Sequence, residues 1–247
     1  MVGWRKTLVA VAALSLLALT APAGAQEEPD PCVSPESFEG AIVGTSGDDV
    51  LTGTDGPDLI IGLEGNDTIK GLGGDDLVAG CLGDDVISGG DGNDEIAGDD
   101  LSFFGDRNAP GGDDIITGDG GDDGVIGGPG DDRVNGGAGD DFLALAVGDD
   151  VGIGGPGADT VIGGFGFDRV LGGPGDDFVA GGQDNDVVNG GPGDDFIAGD
   201  TPPPPEGEEP PPNSMFAGDN DQCVGAAGDD TAVDCERTHA IETLLDA

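Results

Sequence analysis

The sequence predicts an all-β fold made by stacking one short unit many times. Three observations carry this. A nine-residue pattern, G-G-x-G-x-D-x-U-x with U aliphatic, runs end to end from Gly44 to Ala97 and again from Ala109 to Ala198. Its sixth position is Asp in all sixteen units, and its eighth is Val, Ile or Leu in all but one, where Gly152 stands. The chain is also acidic and Gly-rich, with 52 Asp and Glu against 7 Lys and Arg, a net charge of −45, and 52 Gly. That composition alone would describe a disordered chain. A fixed apolar period opposes it, because self-similarity at a constant spacing marks a stacked-repeat architecture.

Taken in order, the chain opens with Arg5 and Lys6, then the apolar run TLVAVAALSLLALTAPAGA. Ala23-Gly24-Ala25 has the form of an export cleavage site, so residues 1–25 are expected to be a signal peptide cut after Ala25. The apolar run, roughly 15 residues, is short of the about 20 that span a bilayer. The mature chain is therefore expected to be secreted and to carry no membrane span. Residues 26–43 form an N-terminal cap, with Ile42 at the eighth position of a degenerate unit. Residues 44–198 hold the repeats, interrupted at 98–108 by GDDLSFFGDRN. This interruption, with Phe103 and Phe104, is either a contact loop or a tolerated insertion. TPPPPEGEEPPP lies in a Pro-rich linker over 199–213, extended and semi-rigid. Residues 214–247 hold two degenerate repeats, in which Asp221 and Asp230 stand nine apart, and residues 236–246 are expected to form one short helix. An even number of Cys in an exported chain predicts disulfides. Cys223 and Cys235 are close in sequence and pair, which leaves Cys32 with Cys81.

Within a unit, a three-residue strand turns one side chain inward, at position 8, between outward positions 7 and 9. The six-residue turn needs residues that accept positive φ, hence Gly at positions 1, 2 and 4. Stacking puts equivalent Asp side chains one strand spacing apart, about 4.8 Å. Bare carboxylates at that distance repel by on the order of 1 kcal/mol in water and by more when dehydrated. A hard divalent cation resolves this. Calcium accepts 6–8 oxygens, backbone carbonyls included, whereas magnesium demands stricter geometry.

These units resemble the haemolysin-type calcium-binding repeats of the RTX family. The resemblance implies a parallel β-roll (a β-solenoid) of sixteen nonapeptides, two per 18-residue turn, with small N- and C-terminal caps. It also implies calcium ions between successive turns on both edges. The metal ligands are then the position-6 residues Asp49, Asp58, Asp67, Asp76, Asp85, Asp94, Asp114, Asp123, Asp132, Asp141, Asp150, Asp159, Asp168, Asp177, Asp186 and Asp195. The aliphatic column is too small to order the chain alone, so folding is expected to depend on calcium. Position 5, mostly Asp or Asn, is either a supplementary ligand or a solvated turn former.

Phe142, Phe178 and Phe196 occupy position 7 of even units, and Arg133 and Arg169 that of odd units. The two sets are therefore expected on opposite faces. The phenylalanines are either a docking strip or a ladder packed along the stack. Excess acidity argues against nucleic acid as a partner. The single His239, and the lack of G-x-S-x-G and H-E-x-x-H, argue against an enzyme. The expected function is a secreted calcium-binding module for structure, adhesion or envelope interaction, with an extracellular protein or cell-wall polymer as partner. The alternative is a non-catalytic accessory that stabilises a secreted enzyme.

Overall fold

The computed structural model describes Cys32, residues 40–99, 110–200 and 222–225, and the backbone of strands at 231–233, 237–239 and 243–244. The expected signal peptide, Phe103-Phe104, residues 201–213, Asp221, Asp230 and Cys235 lie outside these residues. Among the described residues there is no helix, and every strand pairs in parallel with the next strand but one. The result is an eleven-stranded and a ten-stranded sheet whose strands alternate along the chain. Ile60 is in register with Val78 and Ile69 with Ile87. Hydrogen bonds between turns link residues 18 apart, so two units make one turn of a parallel β-roll.

Position 8 builds the core. Ile60, Ile69, Val78, Ile87, Ile96 and Ile116 are buried in one continuous column that runs on to Ile197 and Cys223, with Ile42 and Leu51 packed at its start. Ile42, expected at the eighth position of a degenerate unit, is in register with Ile60. The exception at Gly152 is filled from elsewhere. Leu145, at position 1 of the same unit, is buried in the core, and a Cβ on Gly152 would meet Leu145 Cδ1 at 2.8 Å and Val161 Cγ1 at 3.1 Å. The two positions have exchanged roles. Leu145→Ala should therefore cost about 2–5 kcal/mol in denaturant unfolding, and Gly152→Val about 1–3 kcal/mol through overpacking. Leu145→Gly combined with Gly152→Val should recover most of that loss. Simple additivity in this pair would contradict the exchange.

Glycine serves two purposes in the turns. Positions 2 and 4 hold residues at positive φ, such as Gly155 (φ 119°) and Gly157 (φ 154°). Position 1 does not, which corrects the expectation. A Cβ on Gly62 would instead meet the Asp67 carboxylate and, at 2.5 Å, the Gly80 carbonyl oxygen of the next turn. Position 1 is Gly for want of space.

Three further boundaries move. Gly98 and Asp99 lie in the strand Glu95–Asp99. Asp99 is in register with Cys81, and Gly98 faces the Asp114 carboxylate and the Gly127 carbonyl as a position-1 glycine does. They open the seventh unit, which was expected to begin at Ala109. Likewise the strand Phe196–Asp200 carries the roll through Gly199 and Asp200, two residues into the expected linker. At the C-terminus the expected helix is replaced by strands Arg237–His239 and Thr243–Leu244. They pair with Gln222–Val224 and Thr231–Val233. An open parallel edge offers unpaired N–H and C=O groups along its whole length, and satisfying them outweighs the helix propensity of so short a segment.

Cys32 is bonded to Cys81 with a Cα–Cα distance of 5.8 Å. The bridge sits in a small apolar cluster with Ile61, Ala79, Ala41, Leu59 and Leu63, and ties the N-terminal segment to the roll. Cys223 is disulfide-bonded too; its expected partner, Cys235, lies outside the described residues. The phenylalanines and arginines fall on opposite sheets as expected. Phe178 and Phe196 stack with centroids 5.3 Å apart and planes 3° apart, which is the ladder arrangement. Phe142 packs instead with Ile126 and Ala144.

Candidate metal centre

All sixteen position-6 aspartates are gathered into two ladders, one on each edge of the roll. One edge carries Asp49, Asp67, Asp85, Asp114, Asp132, Asp150, Asp168 and Asp186. The other carries Asp58, Asp76, Asp94, Asp123, Asp141, Asp159, Asp177 and Asp195. Within a ladder each backbone N–H donates to Oδ1 of the aspartate one turn on, as Asp49 to Asp67 at 2.8 Å, Asp132 to Asp150 at 2.8 Å and Asp141 to Asp159 at 2.9 Å. The ladder crosses the interruption unbroken, from Asp85 to Asp114 at 2.8 Å.

The second carboxylate oxygen differs along the stack. In the first two units a Thr at position 2 satisfies it: Thr45 Oγ1 donates to Asp49 Oδ2 at 2.8 Å and Thr54 Oγ1 to Asp58 Oδ2 at 2.9 Å. Further in, Oδ2 of Asp67, Asp85, Asp114, Asp123, Asp132, Asp141, Asp150, Asp159, Asp168 and Asp177 is buried and receives no hydrogen bond. A buried carboxylate oxygen without a donor costs several kcal/mol if charged. Burial is the main reason these groups are pushed up from 3.8. The backbone N–H at Oδ1 partly offsets the rise, and neighbouring carboxylates add to it. Asp114 and Asp150 reach about 9, Asp132 about 8, Asp85, Asp123 and Asp168 about 7, and Asp141 and Asp177 about 6. Asp67 and Asp159 are also raised.

A cation would relieve this, and the surroundings suit a hard one. Among the described residues no three His, Cys, Asp or Glu side chains converge on a point, so the other donors would have to be backbone. They are present. Next to nine of the ten orphaned Oδ2 atoms, all but that of Asp150, whose unit has Leu145 in place of the position-1 glycine, lies a carbonyl oxygen of the following turn, as Gly80 beside Asp67, Gly154 beside Asp141 and Gly172 beside Asp159. Carboxylate and carbonyl oxygens alone, in tiers, form a donor set for calcium rather than for zinc or copper.

Position 5 has a role that the sequence did not disclose. Asp84, Asp113, Asp131 and Asp149 are exposed, and the Oδ1 atoms of this ladder accept the position-5 N–H of the next turn. Asp113 N donates to Asp84 at 3.1 Å, Asp131 N to Asp113 at 3.0 Å, and Phe167 N to Asp149 at 2.9 Å. These side chains reach forward along the stack whereas those of position 6 reach back, so each turn is clamped from both sides. Asn at position 5 keeps this acceptor, as Asn93 does for Asp122 at 3.2 Å. The only signal was that tolerance of Asn. The Thr at position 2 of the first two units alone was the signal for the closed end.

Compared with known families, the chain is matched repeatedly by the RTX calcium-binding nonapeptide repeat, over residues 43–78, 71–100, 111–143, 125–152, 146–179, 153–188 and 171–201. No curated protein matches the chain.

Proposed function

We propose, from the premise that the chain belongs to the RTX calcium-binding nonapeptide repeat family, that it is an exported calcium-binding module whose roll forms only when calcium is bound. The observation that carries this reading is the row of buried, donorless Oδ2 atoms on both edges. The sixteen position-6 aspartates are its ligands, assisted by turn carbonyls. The ten orphaned ones bear most of the load, and Asp49 and Asp58, already capped by threonine, bear least. The role is structural and non-catalytic: the turns are filled by backbone and the interior by one aliphatic column. The signal-like N-terminus supports a place outside the cell, where calcium is plentiful, and an adhesive or envelope-associated function.

The contrast between positions 5 and 6 tests it. Asp132→Asn removes a buried charge, and Asp131→Asn next to it keeps an exposed acceptor. In a calcium titration followed by circular dichroism, Asp132→Asn should raise the midpoint about tenfold, the loss of roughly one charge-assisted contact. It should also raise the residual β signal in chelator, because a neutral amide is cheaper to bury than a carboxylate. Asp131→Asn should change neither. Equal effects of the two substitutions would refute the assignment of ligands.

A further inference from the structure

Charge is segregated on this molecule. The ten-stranded sheet carries Lys70, Arg133 and Arg169 on its outer face, all exposed, and the strand of Arg237 extends the same sheet. From Val50 to Val224 its outward positions 7 and 9 hold no acidic residue. Among the described residues Lys70, Arg133 and Arg169 make no ion pair, in a chain with 52 Asp and Glu. Arg133 and Arg169 stand in one column with Val151 between them, hence about 10 Å apart along the stack. Beside them the position-9 column places Asn135, Ile153 and Leu171 in register. Two residues before Arg169, Phe167 is 56% exposed and replaces the acidic residue usual at position 5. At this row the flanking acidity is interrupted, whereas Asp131 and Asp149 flank the two rows before it. In the other half of the face Asp119 leans in, accepting from Ser88 at 2.6 Å and Thr117 at 3.1 Å.

We propose that the outer face from Arg133 to Leu171 binds a linear acidic glycan lying along the stack axis. The inference rests on the reading of the chain as an extracellular interaction module and names its ligand class. Arg133 and Arg169 hold successive carboxylates through paired N–H donors. Phe167 and the Ile153–Leu171 saddle take the apolar faces of the sugar rings, and Asn135 meets hydroxyls. Geometry selects the shape of the partner. From position 7 to position 9 the face is about 7 Å wide, and beyond it stand the turn carboxylates Asp131 and Asp149. A thin chain fits between the turns, whereas an anionic bilayer would have to approach those carboxylates.

The test uses the full chain in calcium, with hyaluronan and chondroitin sulfate as acidic glycans. Dextran, polyphosphate and phosphatidylglycerol vesicles are the competing probes. Acidic-glycan binding is expected to weaken about tenfold in Arg169→Gln and about a hundredfold in Arg133→Gln combined with Arg169→Gln. Phe167→Ala should also weaken it, with the β signal unchanged throughout. Absence of glycan binding, equal binding of dextran or polyphosphate, a preference for vesicles, or indifference to the arginines would each overturn the proposal. A chain that keeps its β signal in chelator yet shows the arginine-dependent binding would refute the calcium reading and leave this one standing.

Discussion

Stripping calcium at pH 8 should abolish the β signal of the roll and return it when calcium is restored. The size of the effect follows from the ladders. A carboxylate pushed upward is one whose ionised form the fold disfavours. Eight of these groups are pushed to between about 6 and about 9. Ionised together in the fold, they lack the water that solvates them in the unfolded chain and repel one another, which opposes the narrow margin of about 5–15 kcal/mol by which an ordinary domain is stable. Each calcium held at 100 times its dissociation constant contributes about 2.7 kcal/mol, a figure that already includes relief of the repulsion at its own tier. Coupling between tiers should make the transition cooperative, since each aspartate binds the N–H of its neighbour in the stack. Far-UV circular dichroism during chelation and readdition measures this. A roll that persists in excess chelator at this pH would mean that the carboxylates are neutralised by something other than a cation.

Acid should do part of what calcium does. Without metal, these carboxylates hold their protons in the roll up to about pH 6 to 9 but lose them near 3.8 in the unfolded chain. Between those limits the folded state binds more protons, so stability falls as pH rises. The fall is steepest from about pH 4.5 to 6 and is complete by about pH 9. Lowering the pH from 8 to 5 in chelator should therefore raise the β signal. With calcium present the direction reverses, because protons compete for the same oxygens and apparent affinity drops on acidification. Opposite pH trends with and without calcium are the expected pattern, read by circular dichroism in both series. If acidification in chelator left the signal flat or lowered it, the buried ladders would not be the obstacle to folding.

Much of this architecture was legible in the repeat itself. Asp at position 6 and an aliphatic at position 8 are local requirements restated every nine residues, so the inward column, the two edges and the opposed faces of Phe178 and Arg169 could all be counted off. The missed features are decided across turns. Gly62 is Gly because of the Gly80 carbonyl, eighteen residues away in sequence and one strand away in space. Gly98 reads as the start of an insertion until Gly127 is stacked against it. Leu145 looks like a defect at position 1, and Gly152 a defect at position 8, and only their contact shows one filling the place of the other. The acceptor ladder of position 5 and the threonine caps on Asp49 and Asp58 are likewise interactions between neighbours that a single unit does not contain. The strands at 237–239 and 243–244 follow from the open edge beneath them rather than from their own residues.

In the folded roll, calcium should satisfy the buried carboxylate oxygens on both edges. Equilibrium dialysis against calcium at neutral pH, with the β signal recorded on the same samples, tests it most directly. Several ions should bind per chain, taken up in step with the signal and reduced in number in Asp132→Asn. A fully formed roll with no calcium bound, or calcium bound with no gain in β structure, would contradict it.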